Sequence, residues 1–475
     1  VTLPIQRWGL LAGQARVSMR ALQVFTVVLA CCAAPAVAQE QVQVPLDQAG
    51  ALAAQTLVAG DVATALQIAE AVLAQRPDDR NALIVVAAAA PRAGDPAKGR
   101  RAGARAWSVS QSDAQKYEAA RLTALAAANE ERFTLSTFWL RRALTVAPNE
   151  EERARTIQDA RIVTRRNPWS TQLSFSLVPS NNVNGGAEDE TSTAPGNPTG
   201  TLSEDALALS GWRATLSFGA QYRFQENAQS RSTVGLSYQT SRVRITDNTE
   251  IPDESFTTNN HNLSLRHDRA LENGTLTLRT SRGRFEYRDL DIAALTTERE
   301  AYDIWRLGVD RRIPLNDRTL LSFTAGREWL TYEESGIGEV DRVIFSAGVT
   351  YALDNRDRVG GSFTFVENEG DNPNYNSTDR TVSLNYSWAE PLGPISLSVG
   401  GGVKWSEYPD YRIPFPVPGG REDKTIFLNA NIGFPNVSYA GFTPGLRIDA
   451  SRTDSNVSRF DRETLSVGLT ISSQF

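Results

Sequence analysis

The chain has 475 residues, a formal net charge of −6, two cysteines, two histidines and a single methionine. The acidic balance excludes non-specific binding to nucleic acid through its phosphates, and the length allows two domains. After the first forty residues no apolar run reaches 18 residues, which excludes a helical membrane span there; it does not exclude a membrane barrel, whose strands are apolar on one face only.

The amino-terminal segment reads as an export signal. Met19 and Arg20 precede the apolar run ALQVFTVVLA and then CCAAPAVAQE, which is a charged n-region, an apolar h-region and a small-residue cleavage site. Residues 1–38 are therefore expected to be an upstream extension and signal peptide, with Met19 as the working start and cleavage after Ala38. The rival reading is a lipoprotein signal acylated at Cys31 or Cys32, against which Leu29 fits poorly. Both cysteines lie in this segment, so the mature chain is expected to manage without disulfides.

Residues 39–167 read as a periplasmic helical domain. Gly60-Asp61 precedes VATALQIAEAVLAQRP, and Gly94-Asp95 precedes PAKGRRAGARAWSVSQ. The shared spacing of about 34 residues is the tetratricopeptide period. Asp95-Pro96 is a cap followed by proline at the first helical position. FTLSTFWLRRALTVAP supplies a third unit, and small residues such as Ala63, Ala69, Ala97 and Gly103 should let paired helices approach closely. Three helix pairs plus a last helix over 149–166 are expected, forming a tetratricopeptide-like α-solenoid. Asn149 caps that last helix, glutamates fill its first turn and arginines its last, as the helix dipole favours; Asn167-Pro168-Trp169 ends it.

Residues 168–475 switch to period two, the signature of half-buried strands. The expected fold is α + β with two domains, the second a transmembrane antiparallel β-barrel of about 14 strands. The first strand, WSTQLSFSLV, sends Leu173, Phe175 and Leu177 outward. The second sends Trp212, Leu216, Phe218, Tyr222 and Phe224 outward and Arg213, Ser217, Gln221 and Arg223 inward. Further strands centre on Val234–Tyr238, Leu263–Leu265, Leu276–Leu278, Trp305–Val309, Leu321–Ala325, Val343–Tyr351, Phe363–Phe365, Val382–Trp388, Ile395–Trp405, Ile426–Phe434, Val437–Ala450 and Leu465–Phe475. Short connections, such as 226–230 and 434–436, alternate with long ones, such as 180–210, 288–300 and 407–423. Trp169, Trp212, Tyr222, Tyr302, Trp329, Tyr351, Trp388 and Trp405 suit two interfacial girdles. The last stripe, Leu465, Val467, Leu469, Ile471 and Phe475, ends on an aromatic and reads as an assembly signal for the barrel assembly machinery.

Catalytic chemistry finds little support in the sequence. His261 and His267 share the outward parity of Leu263 and Leu265, whereas Ser264 has the opposite parity, so no serine–histidine pair is expected on one face. Two histidines make a poor metal site, and no cofactor motif occurs. The chain is expected not to be an enzyme and to need no cofactor. The outer loops are acidic, and the sixth, YPDYRIPFPVPGG, is expected to fold inward or to touch a partner. Inward Arg213, Arg223, Arg266, Arg279 and Arg306 imply a hydrated lumen.

A short helical domain running through RRNPWSTQLSFSLVPSNNVN directly into a fourteen-stranded barrel resembles the surface lipoprotein assembly modulator (Slam) family. The resemblance covers nearly the whole mature chain and rests on architecture, junction and barrel length. It implies a translocator in the outer membrane that delivers surface lipoproteins or small secreted proteins, with the helical domain holding the client in the periplasm. It carries no catalytic residue. Tyr117 and Arg121, one turn apart, and Trp139 are the candidate client contacts. Expected partners are the client, outer-membrane lipid and lipopolysaccharide, with the chain a monomer. Two other functions share the architecture: a porin-like diffusion or uptake channel, and a polysaccharide exporter, which a continuous acidic or aromatic track along the lumen would favour.

Overall fold

A computed structural model describes residues 45–291, 296–333 and 336–473. The expected signal segment 1–38 and the terminal Phe475 lie outside the described residues.

Seven helices come first: α1 (Leu46–Val58), α2 (Val62–Gln75), α3 (Arg80–Ala89), α4 (Pro96–Val109), α5 (Asp113–Asn129), α6 (Phe133–Thr145) and α7 (Glu150–Arg166). Side chains satisfy orphan amides at the starts of α2, α3, α4, α5 and α7. Asp61 accepts from Thr64, Asp95 from Lys98 with Pro96 behind it, and Asn149 from Glu152. Ser112 and Gln115 form a reciprocal capping box on α5. The residues 34 positions apart, Asp61 and Asp95, thus cap equivalent second helices of two hairpins. Each helix packs on the next, and α1 also touches α3, and α3 touches α5, so the odd helices form one row and the array is three hairpins plus a closing helix. Close approach depends on small residues. Ala65 and Ala69 are fully buried, and a Cβ on Gly103 would collide with Thr123 of α5. Ala63, expected at such a contact, is instead exposed.

The barrel strands are β1 (Trp169–Ser180), β2 (Gly211–Glu226), β3 (Ser230–Ile245), β4 (Thr258–Leu271), β5 (Gly274–Asp291), β6 (Thr296–Pro314) and β7 (Thr319–Tyr332). They continue as β8 (Glu339–Ala352), β9 (Arg358–Gly370), β10 (Ser377–Ser387), β11 (Ser396–Tyr408), β12 (Arg421–Gly433), β13 (Phe442–Ser455) and β14 (Arg462–Ser473). Every strand pairs antiparallel with its chain neighbours, and β14 meets β1 to close the barrel. A two-residue ladder, 191–192 against 200–201, decorates the first long connection. Closure is what lipid demands, because an open edge would leave amides and carbonyls unpaired at several kcal/mol each.

The outward faces carry an apolar band. Leu173, Leu384 and Leu428 are 67%, 65% and 63% exposed, and Leu263, Leu307, Phe345 and Leu469 follow the same pattern. So much contiguous apolar surface is unstable in water and matches a bilayer core. Among the described residues no helix is long and apolar enough to cross a membrane.

Turns and loops alternate as expected, with three corrections. The β5–β6 hairpin runs on to Asp291 and Thr296, so the long loop expected over 288–300 is mostly ladder. The turn after β12 spans 434–441, not 434–436: the outward apolar residues of the flanking strands are even-numbered, as in Ile426, Leu428, Leu446 and Ile448, so odd-numbered Val437 and Tyr439 fall out of phase and stay outside β13, which starts at Phe442. Tyr302, expected in a girdle, pairs with Phe285 and Tyr332 and shares the inward parity of Arg306. The tightest turn, Glu272-Asn273, ends on Gly274 at φ 114°, where any Cβ would strike the Arg312 carbonyl.

Candidate functional site: lumen, seam and docked helices

The lumen wall follows from register. Inward positions pair with inward positions, giving Ser217 opposite Gln239, Arg266 opposite Arg279, Arg306 opposite Glu328 and Asn429 opposite Asp449. All five arginines expected inward lie on this face. The wall is otherwise dominated by Ser, Thr, Gly and Asn, so it is polar and closely spaced. Near the loop end an inward aromatic row runs from Phe285 to Tyr302, Tyr332 and Tyr375, with ring centroids 5.1, 4.7 and 6.0 Å apart.

One joint in the wall differs from the rest. β1 pairs with β2 along all twelve of its residues. Among the described residues it shares three pairs with β14, Ser176–Thr470, Leu177–Leu469 and Ser180–Ser466. The Pro168 carbonyl accepts from Arg223 on β2, whereas the Asn181 amide donates to Leu465 on β14. Even positions of β1 therefore face β2 and odd positions face β14. Pro179 is odd, so the amide it lacks is missing from this seam. At the loop end the seam is held partly by a side chain, since Asn181 Oδ1 accepts the Leu465 amide at 2.8 Å. A recess of about 340 Å³ straddles the seam, lined by residues that include Ser174, Ser176, Val178, Arg447, Gly468 and Thr470.

Above the seam the long loops interlock. Asn182 Nδ2 donates to the Glu463 carbonyl, Thr193 donates to Ser458 Oγ and Phe415 donates to Asn197 Oδ1. Tyr411 and Val417 of the sixth loop are buried against Val457 of the last, with Ala194 of the first packed beside them. Arg421 stacks between Tyr408 and Phe460, 3.7 and 3.5 Å from their centroids. Burial in this cluster lifts the Asp461 carboxyl above its ordinary range. The partner that the sixth loop touches is thus the rest of the loop layer.

At the opposite rim the helices dock on the 434–441 turn. Arg141 donates to the Ala440 carbonyl at 3.0 Å and lies 4.3 Å from the centroid of the Phe442 ring. Arg153 reaches Ser438 Oγ at 2.6 Å. Arg223 of β2 donates to the Arg165 and Asn167 carbonyls, both at 2.9 Å, closing off the end of α7.

The candidate client contacts sit differently from the expectation. Tyr117 and Trp139 are each only 7% exposed and belong to one core cluster with Leu140 and Ala160. Arg121 is held by Glu152 and Asp159. All three tie α5 and α6 to their neighbours, and Tyr117 and Trp139 offer no open face. The large apolar side chains that the helices do expose include Val58, Leu125, Ile162 and Phe138, the last beside Arg142, whose guanidinium lies 4.6 Å from the centroid of Trp107. Leu465, Val467, Leu469 and Ile471 all lie exposed on the outward face of β14.

His267 has a serine after all, from the neighbouring strand: Ser232 Oγ lies 2.8 Å from its Nδ1. Ser232 also donates to Gln225 Oε1, so the trio satisfies polar groups on the outward face. His261 stacks on Tyr238 at 4.9 Å. Among the described residues no three His, Cys, Asp or Glu side chains are grouped to hold a metal ion.

No family model matches the chain, and no curated protein matches it. Solved structures similar to it include OccAB1 of Acinetobacter baumannii, at 9% identity over 64% of this chain and 96% of that one, TM-score 0.33. OprD of Pseudomonas aeruginosa is similar at 10% identity over 64% and 94%, TM-score 0.30, and a FadL homologue of the same organism at 13% over 64% and 89%, TM-score 0.29. The barrel architecture stands on the strand order and closure themselves, not on these likenesses.

Proposed function

We propose that this chain is an outer-membrane translocator that passes surface lipoproteins or small secreted proteins from the periplasm to the cell surface. The observation that carries this reading is the β1–β14 seam, with its three paired positions, its proline and the recess behind it. A folded or lipid-bearing client needs a lateral exit, and a wall whose other joints are fully laddered offers one there. The helices dock on the periplasmic rim and would hold the client beside its entrance; we assign the chain no catalytic step. Outward Arg282 and Arg327, stacked on Trp305 and Trp329 near the loop end, suit contact with lipopolysaccharide phosphates.

The test uses the absence of other cysteines beyond Cys31 and Cys32. Ser176→Cys with Thr470→Cys places two thiols at directly paired inward positions, within reach of a disulfide. Surface protease accessibility of candidate clients is then measured with the seam oxidised and reduced, and in cells lacking the protein. Clients trapped inside when the protein is absent or the seam is locked, and released on reduction, support the reading. Export that proceeds through a locked seam would overturn it.

A second reading, a diffusion channel, is favoured by the small polar lining of the lumen. It expects solute passage to be indifferent to the lock and no client to depend on the chain. The inward aromatic row favours a saccharide exporter, but it covers only the β5–β7 wall and the fifth loop.

A further inference from the structure

We propose that the lumen wall formed by β3–β8 is a binding site for a compact oxyanion, a carboxylate or phosphate group. This does not rest on the translocator reading. Five inward guanidinium groups, Arg231, Arg266, Arg279, Arg306 and Arg342, share three carboxylates. Asp268 holds Arg231 and Arg266 at 3.1 and 2.8 Å. Asp310 holds Arg279 at 2.8 Å, and Glu328 holds Arg306 and Arg342 at 3.2 and 3.1 Å. Two positive charges are left over. They are not dispersed: Arg266 and Arg279 stand directly opposite each other across β4 and β5, a placement that repels unless an anion lies between.

The neighbouring inward positions leave room for that anion. Gly235, Gly308 and Gly326 line the same recess as Arg266, Arg279 and Arg306, with a volume of about 300 Å³. A Cβ on Gly308 would sit 3.6 Å from Arg279 Nη2, and one on Gly283 would sit 3.3 Å from Arg306 Nη1. The glycines seat the guanidinium groups and keep the hollow in front of them clear. Asp268 engages Nε and Nη2 of Arg266, and Asp310 engages Nη2 of Arg279. Among the described residues this leaves Nη1 of both arginines without a protein acceptor. Arg266 and Arg279 are each 49% exposed toward the hollow. Planar forks of this kind match the paired oxygens of carboxylate and phosphate. On the opposite wall Arg447, by contrast, is taken up by Asp449 through three hydrogen bonds.

The test is calorimetric titration of the full chain in detergent with inorganic phosphate at low ionic strength. One saturable site is expected. Arg279→Gln should weaken it about tenfold or more, and Arg447→Gln should leave it unchanged, with barrel closure in each variant checked by heat-modifiable electrophoretic mobility. Absence of saturable binding in the parent chain, or equal affinity in Arg279→Gln, would overturn the proposal. Displacement of phosphate by hexaglutamate but not by acetate assigns the site to a chain-borne carboxylate, and the reverse to a free solute; both uphold it.

Discussion

Tyr117 turns its hydroxyl to helix α7, where it donates to Glu152 at 2.7 Å and meets Thr156 at 2.8 Å, while Arg121 donates to it at 3.2 Å. That hydroxyl holds the Glu152 carboxyl below its ordinary 4.5, with Arg155 and Arg121 adding to the effect, and burial raises the Tyr117 phenol. A lowered carboxyl stabilises the fold above the unfolded value and loses that contribution as pH falls through the folded one. The protection of the α7 amides, taken relative to the intrinsic exchange rate at each pH, should therefore be constant above about pH 4.5 and fall below it. Glu152→Gln should flatten the profile, and an unchanged profile in that variant would separate the acid effect from this contact. Gly103 poses a purely steric case. Gly103→Ala forces α4 from α5 and should destabilise the array by about 1–3 kcal/mol, read as faster exchange in both helices.

At the scale of the element, the seam depends on what β1 lacks. Position 179 faces Val467, given the register of Leu177 with Leu469. Pro179→Thr should restore a donor to that carbonyl, protect the new amide from exchange and slow client export; export at the parental rate would remove the seam from the path. The strands themselves were legible in the sequence because lipid imposes alternation on every one of them, from Leu173 to Ile471. Their ends were not, as Val437 and Tyr439 show: apolar residues at alternate positions also lie in a turn that the helices cover, out of phase with the strand that follows. Parity alone could have placed Tyr302, since it lies four positions before inward Arg306. Register could not be read. The Ser232–His267 contact and the Arg266–Arg279 confrontation depend on which residue of one strand meets which of the next, and the seam joins positions almost 300 residues apart. The buried state of Tyr117 and Trp139 depends likewise on α7 lying over them.

For the whole molecule, the helices and barrel form one unit joined at few points, so their coupling is open to test. Arg141→Ala with Arg153→Ala should free the helices from the 434–441 turn, measured as easier proteolysis after Arg166, while the barrel keeps its heat-modifiable mobility. Retained protection would show that the chain junction alone sets their position. The joints at the two rims differ in kind. At the loop end β1 and β14 are stitched by Asn181, Asn182 and the interlocked first and last loops, whereas among the described residues Leu173, Ser174 and Phe175 of β1 make no pair with β14 toward the helices. A clasp fastened at one end opens from the other. If this wall parts, the gap faces the membrane leaflet on the helix-bearing side, so acyl chains would enter from that leaflet and a photo-crosslinker at inward Ser174 would capture lipid where one at inward Ser180 would not.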